Sequence, residues 1–457
     1  MEGVFSLTVD IKLINGLIFF SGEFIEGGLA IEGERIIKIG KDPNLPRASE
    51  TINTMGGLII PGVIDIHVHF RDFQQKYKET LETGTRAAIA GGVTSVIEMP
   101  NNKPPTDSVW RIKAKKQLIE GKAAGNIGFY SLIPPEKQEI IKLVKEGIFG
   151  YKIYPESELY PPKQQELFIK MAETIAETKL PLLIHPDHPF ASEREKESFE
   201  SNLPSIEAFL KAHPAKAEGN ALKKFIQLNE KIMGQLHCCH ITAQETIEVL
   251  RRNKKHMNLT GEVCPHHLLL NEEDLYKFKS EAKCLPPLRS KKDQQALWEA
   301  VRDGTIRVIA SDHAPHSFKE KHTNFIDAAC GISGVETTLQ LMITAALKGF
   351  IAVEKMIPLL TKNPANLLKL TERGELKEGN YADVVVLQKE KKKIDPEKFE
   401  SKAKWSPFAG FETQVTPQKV IVNGHLVKDG EYVLSRVREG KILTQSYNSS
   451  NNHEREE

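Results

Sequence analysis

Pro61-Gly-Val-Ile-Asp-Ile-His67-Val-His69-Phe70-Arg71 is an apolar run that ends in two histidines two residues apart. In a strand, where side chains alternate faces, that spacing sets both imidazoles on one side and sends Val68 to the other. Histidine is the commonest metal ligand, so the pair can close on one ion from the mouth of a sheet or barrel. Taken alone, the pair fits two partly exposed histidines at a strand end equally well. Its weight comes from polar residues that end later strands.

From about Leu58 onward, short apolar runs alternate with longer helical patterns, the rhythm of βα units on a parallel sheet. Eight candidate strands end near His69, Pro100, Ile133, Tyr154, His185, His240, His266 and His316, with helices expected at Thr80 to Ala90, Ser108 to Ala124 and Gln164 to Thr178. Eight such units over roughly 310 residues have the size of a (β/α)8 barrel with insertions. Residues 5 to 56 read instead as short β runs broken by Asn15-Gly16 and Gly27-Gly28 turns. The chain turns β-rich again after Asn366, with Ala382 to Leu387 and a hairpin at Asn423-Gly424.

The expected class is therefore α/β: a barrel over 57–370 and a small β-sandwich built jointly by 1–56 and 371–440. The final stretch, 441–457, becomes rich in Ser, Asn and Glu and is expected to be a disordered tail. At 457 residues the chain has room for a large catalytic unit and an accessory domain. Its 62 basic and 61 acidic residues supply no global field for nucleic acid or an anionic membrane, which leaves a small molecule as the expected partner. The apolar runs are strand length, and no basic-then-apolar leader opens the chain, so a cytoplasmic protein is expected. Five cysteines without a paired framework suit a reducing compartment and read as small buried hydrophobes.

In a barrel of this kind the active site lies at the C-terminal ends of the strands. The residues there are His67 and His69 on strand one, Lys152 on strand four, His185 on strand five, His240 on strand six and Asp312 on strand eight. Individually, Lys152 could snorkel, the histidines could be satisfied core residues and Asp312 could cap a helix. Together, four imidazoles, a carboxylate and a lysine make a nitrogen and oxygen donor set suited to two divalent ions, zinc first. An ammonium cannot ligate, so Lys152 fits this set only if neutralised or converted by carbon dioxide to a carbamate. Cys239 and Glu262 could serve a further metal but read better as supports of the ligands or as core. His266 and His267 read as supporting residues of strand seven.

These residues sit in motifs that resemble the amidohydrolase superfamily, and within it the dihydroorotases, over nearly all of 5–430. The matching stretches are Pro61 to Arg71, Gly92 to Asn101, Tyr151-Lys152, His240-Ile-Thr, Pro265-His-His267, Pro286-Pro-Leu-Arg289, Ser311 to His316 and Ser406 to Gly410. The resemblance implies reversible opening of dihydroorotate to N-carbamoyl-L-aspartate in pyrimidine biosynthesis. Two metal ions would activate water and polarise the scissile carbonyl, and Asp312 would act as the acid/base. It further implies that Arg71, Asn101 and His316 hold the substrate carboxylate; a guanidinium, an amide and an imidazole are suitable donors. Arg71 could otherwise pair with Asp72 or Glu79, and Asn101 could be only a turn residue.

Several motifs are shared with hydantoinases, dihydropyrimidinases and allantoinases, which leaves a related cyclic amide open as substrate. A third reading is an inactive homologue that partners aspartate transcarbamoylase, but such proteins typically lose ligands and all six are present here. The resemblance leaves room for a homodimer and for association of an active enzyme with the transcarbamoylase. Departures from the pattern at Asn102, Pro186-Asp187 and Leu285 bear on fine substrate contacts rather than on the metal ligands.

Overall fold

Leu58–Pro61 and Val63–Val68 are consecutive strands separated by Gly62, and they belong to different sheets. A side chain at Gly62 would run into Thr94, so glycine lets the chain pass closely from one sheet to the other. The computed structural model describes residues 8–253 and 258–445. Among them, eight parallel barrel positions run from Val63–Val68 through Val93–Glu98, Asn126–Phe129 continued by Ser131–Leu132, Tyr151–Ile153, Leu182–Ile184, Leu236–Cys238 and Leu259–Val263 to Val308–Ile309. A parallel bridge between Val68 and His313 returns the eighth position to the first and closes the barrel.

The barrel interior below the site is apolar. Ile64, Ile66, Ile97, Met99, Tyr130, Leu183, Val308 and Ala310 pack there with Leu367, Leu368 and Leu443. On strand one, the pairing register with strand two shifts between Asp65 and Val68. This irregularity lets Ile66 join the inner cluster while Val68 joins the outer core, and His67 and His69 still line the cavity above. The expected helices form at Leu81–Ala90, Val109–Ile119 and Gln165–Glu177. The first begins at a Thr80 capping box. The second stops short of the expected Ala124 because Gly121 adopts φ +64 just beyond its end.

The outer sheet has nine strands among the described residues, joined where Leu58–Pro61 runs antiparallel to Val384–Lys393. The two terminal segments therefore pair with each other. Thr8–Phe20 bonds Arg47–Asn53 with its first half and Leu58–Pro61 with its second, so the expected sandwich is one sheet bent over its own core. Asn15-Gly16 is not a turn. Asn15 sits at φ 58 inside that long strand and the register shifts there, so the pair forms a bulge. Gly27-Gly28 likewise lies within Glu23–Glu32, where a side chain at Gly28 would collide with the Leu13 carbonyl. Asn423-Gly424 makes the expected hairpin, both at positive φ.

Two further expectations are corrected. Strand seven ends at Val263, and Pro265 opens the short helix Pro265–Leu269, so His266 and His267 lie beyond the strand rather than at its end. Residues 441–445 are tied down: Ile127 N–H donates to the Lys441 carbonyl, Leu443 N–H donates to the Ile127 carbonyl, and Leu443 is buried. The alternation of apolar and polar residues that sets this segment against the barrel is too short to stand out in sequence. The rest of the expected tail, 446–457, lies outside the described residues. Among the described residues, no helix is long and apolar enough to cross a membrane.

Candidate metal centre and anion pocket

All nine expected site residues line one cavity of about 680 Å³ at the C-terminal ends of the barrel strands: His67, His69, Arg71, Asn101, Lys152, His185, His240, Asp312 and His316. Three of them hold backbone conformations rare for side-chain-bearing residues: Arg71 at φ 62, His240 at φ 34 and Asp312 at φ 47. Such strain costs about 1–3 kcal/mol per residue and collects where side chains must be aimed. Here it turns strand-end residues inward over the cavity.

His67 Nδ1 donates to Glu262 and His69 Nδ1 donates to Asn101 Oδ1 at 2.6 Å. With both Nδ1 atoms engaged, the Nε2 atoms converge on Asp312 Oδ1, at 3.3 and 2.9 Å. Acceptor atoms brought together in this way require a proton or a cation between them. Burial opposes charge on His67, but Glu262 and Asp312 outweigh it and push its pKa up to about 10. A divalent ion at the same point would displace that proton. Burial, only partly offset by Asp312, lowers His69 to about 4, which leaves its imidazole neutral and able to ligate. Asp312 is held well below the carboxylate range: burial pushes up, and His67 and His69 outweigh it.

Lys152, His185 and His240 complete the cluster from strands four to six. Lys152 Nζ, His185 Nε2 and His240 Nδ1 are buried and have no hydrogen-bond partner among the described residues. The His185 and His240 rings lie 4.5 Å apart, and His240 is 5.3 Å from His67. Burial first, then the neighbouring Lys152 charge, lowers His185 to about 3. Burial, His185 and Lys152 push His240 far below its ordinary value. Both imidazoles are neutral with free lone pairs. The two orphaned imidazole nitrogens suit a cation beside the His67, His69 and Asp312 set, whereas Lys152 Nζ suits one only if neutralised or converted to a carbamate.

Glu262 is the residue whose role the sequence left least distinct. It is fully buried and accepts from His67 Nδ1, from His237 Nε2 at 3.1 Å and from His240 N–H at 3.3 Å. These contacts place it behind the ligand imidazoles, where it sets their orientation. Cys239 lies close by, with a ligand atom within 4.8 Å of those of His67 and Glu262. Asp65, which the sequence reading passed over, accepts from the backbone N–H groups of His67 and Ser311 and ties strand one to strand eight. Cys264, His266 and His267 form a separate buried group that does not line the cavity.

At the other end of the cavity, Arg71 is buried and donates Nε–H to the Pro315 carbonyl, with Nη2 3.3 Å from His316 Nε2. Among the described residues it forms no ion pair, neither with Asp72 nor with Glu79. Asn101 has its Oδ1 on His69, and its amide nitrogen has no partner among the described residues. Asn102 makes good its departure from the motif: its amide donates to the Arg71 carbonyl and to Glu98, and its oxygen accepts from Thr106. Leu285 lines the cavity as an apolar wall. Asp187 faces away from it, against His213 Nδ1 at 2.6 Å.

A closed (β/α)8 barrel with a histidine and carboxylate centre at its strand ends is the construction of a metal-dependent hydrolase. A model of the Amidohydrolase family matches residues 58–427. The chain is 34% identical over 426 residues to a dihydroorotase of Bacillus cytotoxicus, covering 90% of this chain and 96% of that one. It is 34% identical over 440 residues to a dihydroorotase of Staphylococcus epidermidis, covering 92% and 100%. Among solved structures, L-hydantoinase (dihydropyrimidinase) from Arthrobacter aurescens aligns with a TM-score of 0.90 at 24% identity, covering 96% of this chain and 100% of that one. At such identity the likeness shows the fold alone. The chain belongs to the amidohydrolase family, as a metal-dependent cyclic amidohydrolase, and family and donor set together imply a divalent metal.

Glu262→Gln keeps the size of the side chain but removes the charge that orients His67. Metal affinity or activity is expected to fall roughly 10- to 100-fold. Metal content by mass spectrometry after dialysis against a graded chelator checks this; an unchanged metal-binding curve together with wild-type activity would show that Glu262 does not orient the ligands.

Proposed function

We propose that the chain reversibly hydrolyses the ring amide of (S)-dihydroorotate to N-carbamoyl-L-aspartate, in pyrimidine biosynthesis. The observation that carries this reading is Arg71, a buried guanidinium with no carboxylate partner in the cavity that holds the ligand cluster. A buried, unpaired charge costs several kcal/mol unless a counter-charge arrives, and the substrate's carboxylate is that counter-charge. Hydantoin and dihydropyrimidine rings carry none. The dihydroorotase names of the relatives point the same way.

His67, His69, Lys152, His185, His240 and Asp312 would hold two divalent ions, zinc being the best match to imidazole and carboxylate donors. Lys152 would enter as a carbamate formed with carbon dioxide, because its ammonium has no lone pair to offer a cation. When bound, the ions supply Lewis acidity toward the scissile carbonyl and lower the pKa of water. Asp312 then moves the proton. Its Oδ2 takes no protein hydrogen bond among the described residues, so this atom is free to accept a proton from the attacking water and return it to the leaving ring nitrogen. Arg71, His316 and the Asn101 amide fix the carboxylate and so the face of the ring presented to attack. The same reading places the enzyme in the cytoplasm, and it makes a homodimer, or docking to aspartate transcarbamoylase, the assemblies to look for by sizing the purified chain with and without that enzyme.

The direct test is interconversion of dihydroorotate and N-carbamoyl-L-aspartate by the purified chain. Asp312→Asn is expected to lower kcat by at least ~10²-fold, the usual minimum for an acid/base group, while the protein stays folded. Loss of less than tenfold would remove Asp312 from that role. Arg71→Ala should damage dihydroorotate turnover far more than turnover of any carboxylate-free dihydropyrimidine that is accepted. Equal losses on both substrates would favour a hydantoinase instead. For Lys152, labelled carbon dioxide should give a carbon-13 carbamate signal that vanishes in Lys152→Ala, and its absence from fully metallated, active enzyme would rule out the carbamate.

A further inference from the structure

Lys78 precedes the Thr80 cap of helix Leu81–Ala90, and its side chain is buried. Its ammonium lies 3.1 Å from His316 Nδ1 and 2.8 Å from Glu320 Oε1. Glu320 is itself fixed: it caps helix Phe318–Lys321 through Ser317 and accepts from Tyr77 Oη at 2.9 Å. The other ring nitrogen, His316 Nε2, is 3.0 Å from the Cys330 carbonyl oxygen. An ammonium has donors only, and a carbonyl oxygen accepts only. The first contact requires a lone pair on Nδ1 and the second a proton on Nε2. Two partners from different segments thus select one neutral tautomer. The donor-only Arg71 Nη2 opposes it at Nε2 but is the longer contact, at 3.3 Å, and a proton on Nδ1 would face the Lys78 ammonium instead. Glu320 Oε2 is more distant from Nδ1, at 4.0 Å. Burial first, then Arg71, Lys78 and Lys321, the cationic groups facing this ring, disfavour an imidazolium.

We propose that Lys78 is a positioning residue for the anion pocket: it locks His316 as the neutral Nε2–H tautomer, so that a substrate carboxylate meets that N–H beside Arg71. The inference rests on the proposed function for the identity of the carboxylate, and on the geometry alone for the tautomer. Its consequence is a pocket whose donor does not depend on protonating a histidine. In wild type His316 contributes no dependence of KM on pH across the neutral range. Without Lys78, Nδ1 loses its fixed donor and the ring is open to exchange into the Nδ1–H tautomer, which turns a lone pair rather than an N–H to the pocket, while burial, Arg71 and Lys321 still hold it neutral.

The test compares Lys78→Met, which has no donor, with Lys78→Arg, which is donor-only like lysine. In the holoenzyme, Lys78→Met is expected to raise KM for dihydroorotate and for N-carbamoyl-L-aspartate roughly 10- to 100-fold, the worth of one hydrogen bond to a charged group, with kcat within about threefold. Lys78→Arg should restore most of the affinity. Nitrogen-15 spectra of histidine-labelled protein, with His316 assigned by its loss in His316→Asn, should show Nδ1 as an unprotonated acceptor in wild type and exchange between the two neutral tautomers in Lys78→Met. A protonated Nδ1 in wild type would overturn the proposal. So would an unchanged KM in Lys78→Met, or equal losses in both variants with the wild-type Nδ1 signal, which would assign Lys78 to loop packing. Should wild type fail to turn over dihydroorotate, the proposed activity falls, and the nitrogen spectra still decide the tautomer.

Discussion

The centre depends on one carboxylate that has no access to water. Glu262 stays ionised in the middle of the barrel because His67, His237 and the His240 N–H surround it. Burial alone would neutralise it; these contacts hold it far below the usual carboxylate range. Its partners come from strands one and six while it stands on strand seven, so a single charge fixes the relative rotation of strands that are not all neighbours. Were it neutral, His67 could turn its ring over, and the convergence of two Nε2 atoms on Asp312 would be lost.

Much of this was legible in the sequence because strand-end histidines are conspicuous against apolar runs. His67, His69, His185 and His240 each follow such a run, and all reach the same cavity. Glu262 was harder to read, since an acid inside an apolar strand gives no hint of which face it occupies or which ring it meets. The positive φ angles at Arg71, His240 and Asp312 were hidden too, because nothing in the identity of these residues announces a left-handed backbone. Asn15-Gly16 misled for the opposite reason. The pair marks positive φ correctly, but the same angles serve a bulge as well as a turn, and only the register against Glu23–Glu32 distinguishes them. The stretch up to His266 reads as the end of a strand, whereas Pro265 already starts a helix.

The segment that follows Val384–Lys393 is more than an appendage of the outer sheet. Trp405 Nε1 donates to the His316 carbonyl at 2.9 Å, Ser401 Oγ donates to Glu79, and Lys402 Nζ donates to the Lys76 carbonyl at 2.6 Å. Glu336, buried and with its pKa raised to about 8, receives the Glu400 and Ser401 N–H groups. Ser401 and Lys402, more than 300 positions away in the chain, thereby brace the loop after strand one that carries Arg71, and Trp405, 89 positions away, braces the loop after strand eight that carries His316. Sequence distance conceals this: each contact is made by an ordinary polar residue with no pattern of its own.

Leu443, Leu367 and Leu368 pack beneath Ile64 and Tyr130, sealing the barrel axis on the side opposite the ligand cluster. The cavity is therefore a blind alley with its entrance among the strand-end loops. Ring-closed and ring-opened forms of a substrate must use the same doorway, and neither can enter until the other has left. Such a vessel runs a reversible reaction as a strict exchange of one occupant for another. The strand-end loops that carry Arg71 and His316 then also frame that doorway.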